Sequence, residues 1–271
     1  MKQIIITLIT WMTIVLSVSA TGQEGEQLFW KGKNYQMLTC PLYDCHAFDN
    51  LGKKLEKEWS STSLWRGYVG HWSIETGMLY LSSIWTEKAG NISPNDIPEL
   101  RKYCKNGKCA ATWFSGTLRV VSGECIQYEH MGFSRHYEHE DFITVKQGKV
   151  VSVKRMENKL IIKGKTDDPD ANKKLTQFLN DLGAQLHKSH PEASGRIIAR
   201  VQYSNFGLMM MPTDVDVTFL NRRDEPPYPQ MEREIKEKLA NYILANQYLP
   251  LYYINGEIMQ ESWTIPIRIP Q

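Results

Sequence analysis

The 271-residue chain has almost no excess of either charge: 32 Lys and Arg stand against 30 Asp and Glu. The two signs are interspersed, as at Lys154, Arg155 and Glu157. That leaves no basic stripe and excludes an ordinary nucleic-acid-binding face. Beyond residue 20 there is no second long apolar run, so nothing there matches the roughly 20 residues of a spanning helix. No cysteine stands directly after the first apolar run, which removes the attachment point of a lipoprotein. Motifs that announce enzyme classes are also missing. Ser115 sits in Trp-Phe-Ser-Gly without the Gly-x-Ser-x-Gly elbow of a serine hydrolase. Asp167, Asp168 and Asp170 lack the glycine and closing glutamate of a calcium loop. No residue set reaches a catalytic signature, and no cofactor is implied.

What is present begins with a leader. Lys2 precedes an uncharged stretch over 4–18, and Val18, Ser19 and Ala20 place small residues where signal peptidase needs them. Residues 1–20 are expected to be a cleaved signal peptide, leaving an exported, soluble protein. The alternative is an uncleaved membrane anchor, the only contact with a membrane that the sequence offers.

Five cysteines, Cys40, Cys45, Cys104, Cys109 and Cys125, form two Cys-x4-Cys pairs and one remainder. In an oxidising compartment such spacing reads as a disulfide framework. Asn106-Gly107 is a preferred two-residue hairpin turn. It sets Lys105 against Lys108 and Cys104 against Cys109 at a non-hydrogen-bonded pair, where Cα atoms lie about 4.5 Å apart. A Cys104–Cys109 bridge is expected on that geometry, and a Cys40–Cys45 bridge on spacing alone. Cys125 reads as a buried thiol.

Over 28–162 the chain reads as short strands joined by turns at Thr76-Gly77, Asn106-Gly107 and Gln147-Gly148. Such a run of hairpins predicts an antiparallel meander. Short helices are expected over 51–59 and 97–103. Pro169 among Asp167, Asp168 and Asp170 breaks the pattern. After it, Leu175, Phe178, Leu179, Leu182 and Leu186 recur at helical spacing, as do Ile235, Leu239, Tyr242 and Ile243. The expected class is α+β, with an antiparallel β-rich domain over 24–166 and a smaller α+β domain over 167–271.

That smaller domain carries a hairpin over 196–219, a helix over 231–246, Pro250, Asn255-Gly256 and a closing Ile265-Pro266-Ile267-Arg268. In that order these features resemble the C-terminal domain of the TonB family. The resemblance implies a ββαβ domain in the periplasm of a Gram-negative bacterium, engaging an envelope protein by strand addition. The closing strand supplies the candidate partner-binding residues Trp263, Ile265, Ile267 and Ile269. The histidine-bearing anchor and proline-rich spacer of the family's energy transducers are missing here, so the energy-coupling role does not carry over. Segments around Trp65, Trp113 and Tyr128 also resemble uncharacterised exported bacterial proteins, which adds no activity.

Two clusters remain. His130, His136 and His139 lie among Glu129, Glu138, Glu140 and Asp141, the residue types of a zinc or acid–base site. His136 and His139 point to opposite faces if they share a strand, and no helical His-Glu-x-x-His spacing occurs. Trp65, Tyr68, Trp72, Tyr80, Trp85 and Trp113 form the second cluster: either core or a binding face. Arg66 beside Trp65 binds an anionic group or covers the ring. The leading expectation is a non-catalytic envelope protein that binds a protein partner. A glycan- or small-ligand-binding module using exposed aromatics is the first alternative. A metal-dependent hydrolase using the 130–139 region is the second.

Overall fold

The computed structural model describes residues 22–57, 61–220 and 229–270, so the expected leader over 1–20 lies outside the described residues. The first unit is made of β1 (Glu26–Trp30), β2 (Lys33–Met37), α1 (Asp49–Leu55), β3 (Val69–Glu75), β4 (Met78–Thr86) and β5 (Gly90–Ile92), then β6 (Cys104–Lys105), β7 (Lys108–Ala110), β8 (Gly116–Tyr128), β9 (Arg135–Lys146) and β10 (Lys149–Glu157). Lys31-Gly32, Thr76-Gly77, Asn106-Gly107 and Gln147-Gly148 all place both turn residues at positive φ. Their twist matches that of the flanking strands, and glycine at the second position removes the steric cost.

The strands run β10-β9-β8-β2-β1-β3-β4, and β10 then pairs with β4. Lys149 stands opposite Met78, and the amides of Leu79 and Val150 donate to Gly148 and Gly77 across the seam. The sheet is therefore a closed seven-stranded barrel, which corrects the expected open antiparallel meander. The pairing of β1 with β3 is parallel: Gln27, Leu28 and Phe29 stand opposite His71, Trp72 and Ser73. Closure satisfies strand edges that a twisted open sheet would expose. Sequence periodicity cannot reveal it, because inward-facing residues alternate alike in open and closed sheets. Leu28, Met37, Trp72, Leu81, Leu118, Val120, Ile143 and Val145 fill the interior. The helix expected over 97–103 is only a single 3-10 turn at Arg101–Tyr103.

The second unit comprises β11 (Lys159–Ile162), α2 (Pro169–Ser189), β12 (Gly195–Phe206), β13 (Pro212–Phe219), α3 (Pro229–Asn246), β14 (Leu251–Ile254), β15 (Glu257–Gln260) and β16 (Trp263–Ile269). These form two three-stranded sheets, β11-β14-β15 and β13-β12-β16, over a separate core. The expected ββαβ domain is thereby overturned. The Asn255-Gly256 turn joins β14 to β15, not to the closing strand, and β16 crosses over to pair with β12. Because β11 pairs with β14, the chain passes between the units at Asn158, ahead of the proline break. Asn158 accepts from the Asn255 amide at 2.8 Å and donates to the Tyr137 carbonyl at 2.8 Å, joining the two units.

Helix α2 buries Leu175, Leu182 and Leu186, and α3 buries Met231, Ile235, Leu239 and Ile243. At Gly183 the helix comes so close to the backbone of β16 that an added methyl would strike the Arg268 carbonyl. Helix propensity alone predicts that Gly183→Ala stabilises the protein by about 1 kcal/mol. The contact reverses the sign: the variant should lose about 1–3 kcal/mol. A urea-denaturation midpoint above wild type would show that α2 does not lie against β16.

Candidate functional site

The most heavily constrained polar group in the barrel sits where β1 begins. Glu26 is fully buried. Its Oε1 accepts from Arg66 Nε at 3.1 Å, and its Oε2 accepts from the Trp72 indole at 2.6 Å. The Gly70 amide and the Cys40 thiol complete the shell. Glycine is needed at 70 because a methyl there would meet the Glu26 carboxylate. Burial raises the Glu26 pKa, and the Arg66 charge with these hydrogen bonds opposes the rise. An unpaired carboxylate could not be held here, so Arg66 is the structural counter-ion.

Arg66 is not fully used by that pairing. It is 1% exposed, and its Nη1 donates to the Glu24 carbonyl at 2.8 Å. Its Nη2 has no hydrogen-bond partner among the described residues, and neither has the hydroxyl of the neighbouring buried Tyr68. The guanidinium lies over the Tyr68 ring, 5.6 Å from its centroid, and not over Trp65. Arg66 also lines a cavity of about 530 Å3 whose other described walls are Tyr43, Glu56 and Trp65. Trp65 is 59% exposed. Burial pushes the Tyr43 phenol up to about 12, and burial likewise raises Tyr68 well above an ordinary tyrosine, so both hydroxyls keep their protons at neutral pH. The cavity thus offers the Tyr43 hydroxyl, the Glu56 carboxylate and the Trp65 indole face, while the Arg66 side chain itself is fully buried.

The aromatic cluster divides. Tyr68 and Trp72 are core, Tyr80, Trp85 and Trp113 are half-buried, and Trp65 faces solvent. No single face displays them all, so a broad aromatic platform is excluded and the binding reading survives only at Trp65.

The histidines do not meet. His130 packs edge-on against Tyr128, His136 bonds to Glu140 at 3.0 Å, and His139 bonds to Glu157 at 2.5 Å. Both His136 and His139 lie on β9, three residues apart, and diverge as a strand requires. Among the described residues no group of three or more His, Cys, Asp or Glu side chains could hold a metal ion. The region instead holds a buried polar knot that sequence reasoning missed. Arg119 reaches Glu140 through Nε at 2.8 Å and Nη2 at 2.7 Å. The Tyr137 amide also donates to that carboxylate, at 3.1 Å.

All five cysteines are free thiols in the structure. Cys104 and Cys109 face each other in register on β6 and β7, and both thiols point at the Leu100 carbonyl. Cys40 bonds to Glu26, whereas Cys45 lies in the barrel core, so the Cys40–Cys45 bridge is not formed. The intervening 3-10 turn at Pro41–Asp44 sends the two side chains apart. Cys125 is exposed, not buried as expected. On β16, Ile265, Ile267 and Ile269 are core residues and Trp263 is half-buried against Tyr248, so this strand presents no apolar row to a partner.

Burial raises the pKa of Glu140, but hydrogen bonds from His136 and Arg119, the Arg119 charge and the Tyr137 amide outweigh it and hold the carboxyl at about 2. A depressed carboxylate pKa adds stability above the unfolded value of about 4.5 and loses it as the pH falls through the folded value. The gap corresponds to roughly 3 kcal/mol. Glu140→Gln should therefore unfold more easily at pH 7 and show a flatter loss of stability between pH 4.5 and 2. A variant whose acid-unfolding curve matches wild type would refute this role.

Compared with protein-family models, with curated proteins and with solved structures, the chain matches none.

Proposed function

We propose that this chain is an exported, non-catalytic binding protein that takes a small polar ligand in the cavity formed by Tyr43, Glu56, Trp65 and Arg66. The observation that carries this reading is the cavity itself, where the exposed Trp65 ring stands with Tyr43 and Glu56. Trp65 presents an amphipathic ring of the kind favoured at binding sites. The cavity volume lies within the range of small-molecule sites. The reading is of binding and not of catalysis, because Glu56 is the one carboxylate among the described lining residues and no metal-holding group occurs among the described residues. Export rests on the leader sequence over 1–20 and on nothing in the fold.

A second reading, docking to a protein of the cell envelope, is favoured by one feature. The β12–β13 connection is an apolar tip: Leu208 is 95% exposed, and Phe206, Met210 and Met211 are exposed beside it. Such a patch suits a partner's cleft better than strand addition at β16, whose outer edge α2 approaches at Gly183.

Two measurements test these readings. A bound ligand raises the melting temperature by mass action. A thermal-shift screen across sugars, carboxylates, amines and zwitterions should find a stabilising class whose effect disappears in Trp65→Ala. A screen without hits in folded protein, or hits that survive that substitution, would count against the cavity. In an oxidising compartment the Cys104–Cys109 pair should close. Protein recovered from that compartment should then contain a disulfide-linked peptide joining the two, and two alkylatable thiols there would contradict this.

A further inference from the structure

We infer that the β12–β13 tip, offered above to a protein cleft, instead enters the interface of a lipid bilayer; nothing in this depends on the cavity. Tyr203 and Val215 stand opposite each other and are the last buried pair of the hairpin. β16 accompanies β12 only as far as Val201. Past them Ser204, Asn205 and Phe206 run on beside β13 alone, and at the rise of a strand they carry the turn about 10 Å beyond the core. Its end is apolar: Leu208 is almost wholly exposed, and Phe206, Met210 and Met211 are exposed with it. Met210 is held at a φ of 62°. That left-handed conformation favours glycine or asparagine, yet an apolar side chain stands there.

Two features favour lipid over a protein cleft. The first is charge: no Lys, Arg, His, Asp or Glu occurs over 201–213, so no ionised group has to leave water when the tip is buried in a bilayer. The second is the backbone. Hydrocarbon offers N–H and C=O groups no partner, so a segment that enters it must satisfy its own. Here the Gly207 amide donates to the Met211 carbonyl at 2.8 Å, and the Met210 amide donates to the Gly207 carbonyl at 3.2 Å. The Thr213 hydroxyl donates to the Asn205 carbonyl. The Asn205 side-chain amide donates to Asp214 at 3.3 Å, which marks the level at which charge begins. An uncharged tip of about 10 Å matches the roughly 5–10 Å to which interfacial segments enter the headgroup boundary.

The test is vesicle flotation of the protein recovered from its own host, read beside two variants whose melting temperatures match wild type. Wild type should float with vesicles of phosphatidylcholine alone at least as well as with vesicles that also contain phosphatidylglycerol. Added salt should not release it, because the first charge above the tip is a carboxylate. Leu208→Asp, a change at an exposed position, should weaken binding about tenfold or more. Leu208→Trp should strengthen it about threefold or more, since tryptophan is favoured at the membrane interface. No flotation of wild type, or equal flotation of wild type and Leu208→Asp, overturns the inference. Binding confined to the anionic vesicles and reversed by salt also overturns it, as the signature of a basic surface. Cross-linking from position 208 to a host protein, in a chain that ignores both vesicle types, overturns it too and leaves docking to a protein in place.

Discussion

The ion pair between Glu26 and Arg66 is the contact on which the barrel's open questions turn. It joins residues 40 positions apart, and neither side chain could stay buried without the other. Glu26 sits on β1 and takes the Trp72 indole from β3. The pair therefore bonds the parallel β1–β3 pairing to the segment that carries Trp65, Arg66 and Tyr68. Gly70 leaves space for the carboxylate, and Cys40 closes the remaining side. Buried ion pairs often contribute little net stability beside an apolar replacement of equal volume. Removing either partner would leave the other charge buried alone, at a cost of about 3–5 kcal/mol.

The two buried polar knots of the barrel make an instructive contrast. Glu140 is surrounded by Arg119, His136 and the Tyr137 amide, and its depressed pKa records a carboxylate whose charge is stabilised. Arg119 uses its donors on Glu140 and on the Phe133 and Arg135 carbonyls. That knot is closed on itself and fixes β8 to β9. Around Glu26 the carboxylate is saturated but its cation is not, and Arg66 also lines a cavity. Polar burial alone does not mark a site; unsatisfied polar burial beside a void does.

The hairpins were readable from sequence because their turns are local. Thr76-Gly77, Asn106-Gly107, Gln147-Gly148 and Asn255-Gly256 each adopt positive φ at both residues, and the stripes of α2 and α3 follow their leucines and isoleucines. What joins those pieces was not readable. Closure through Lys149 and Met78, the parallel β1–β3 pairing and the crossing of β16 to β12 depend on contacts between residues far apart in the chain. The likeness of the last 75 residues to the TonB family rested on the order of elements, and order does not fix which strands pair. The site was legible only in part. Arg66 beside Trp65 stood out as an anion-binding choice, but no sequence signal linked it to Glu26. The histidine cluster drew attention by composition, and strand geometry then pulled His136 and His139 apart.

The central claim is that a ligand fills the cavity lined by Tyr43, Glu56, Trp65 and Arg66. A crystal structure of the protein purified from its own host tests it most directly. The account predicts a bound organic molecule in the cavity, with part of it against the Trp65 ring and a polar atom within hydrogen-bond distance of the Tyr43 hydroxyl or the Glu56 carboxylate. Electron density in which Tyr43 and Trp65 close over an empty or collapsed space would contradict it.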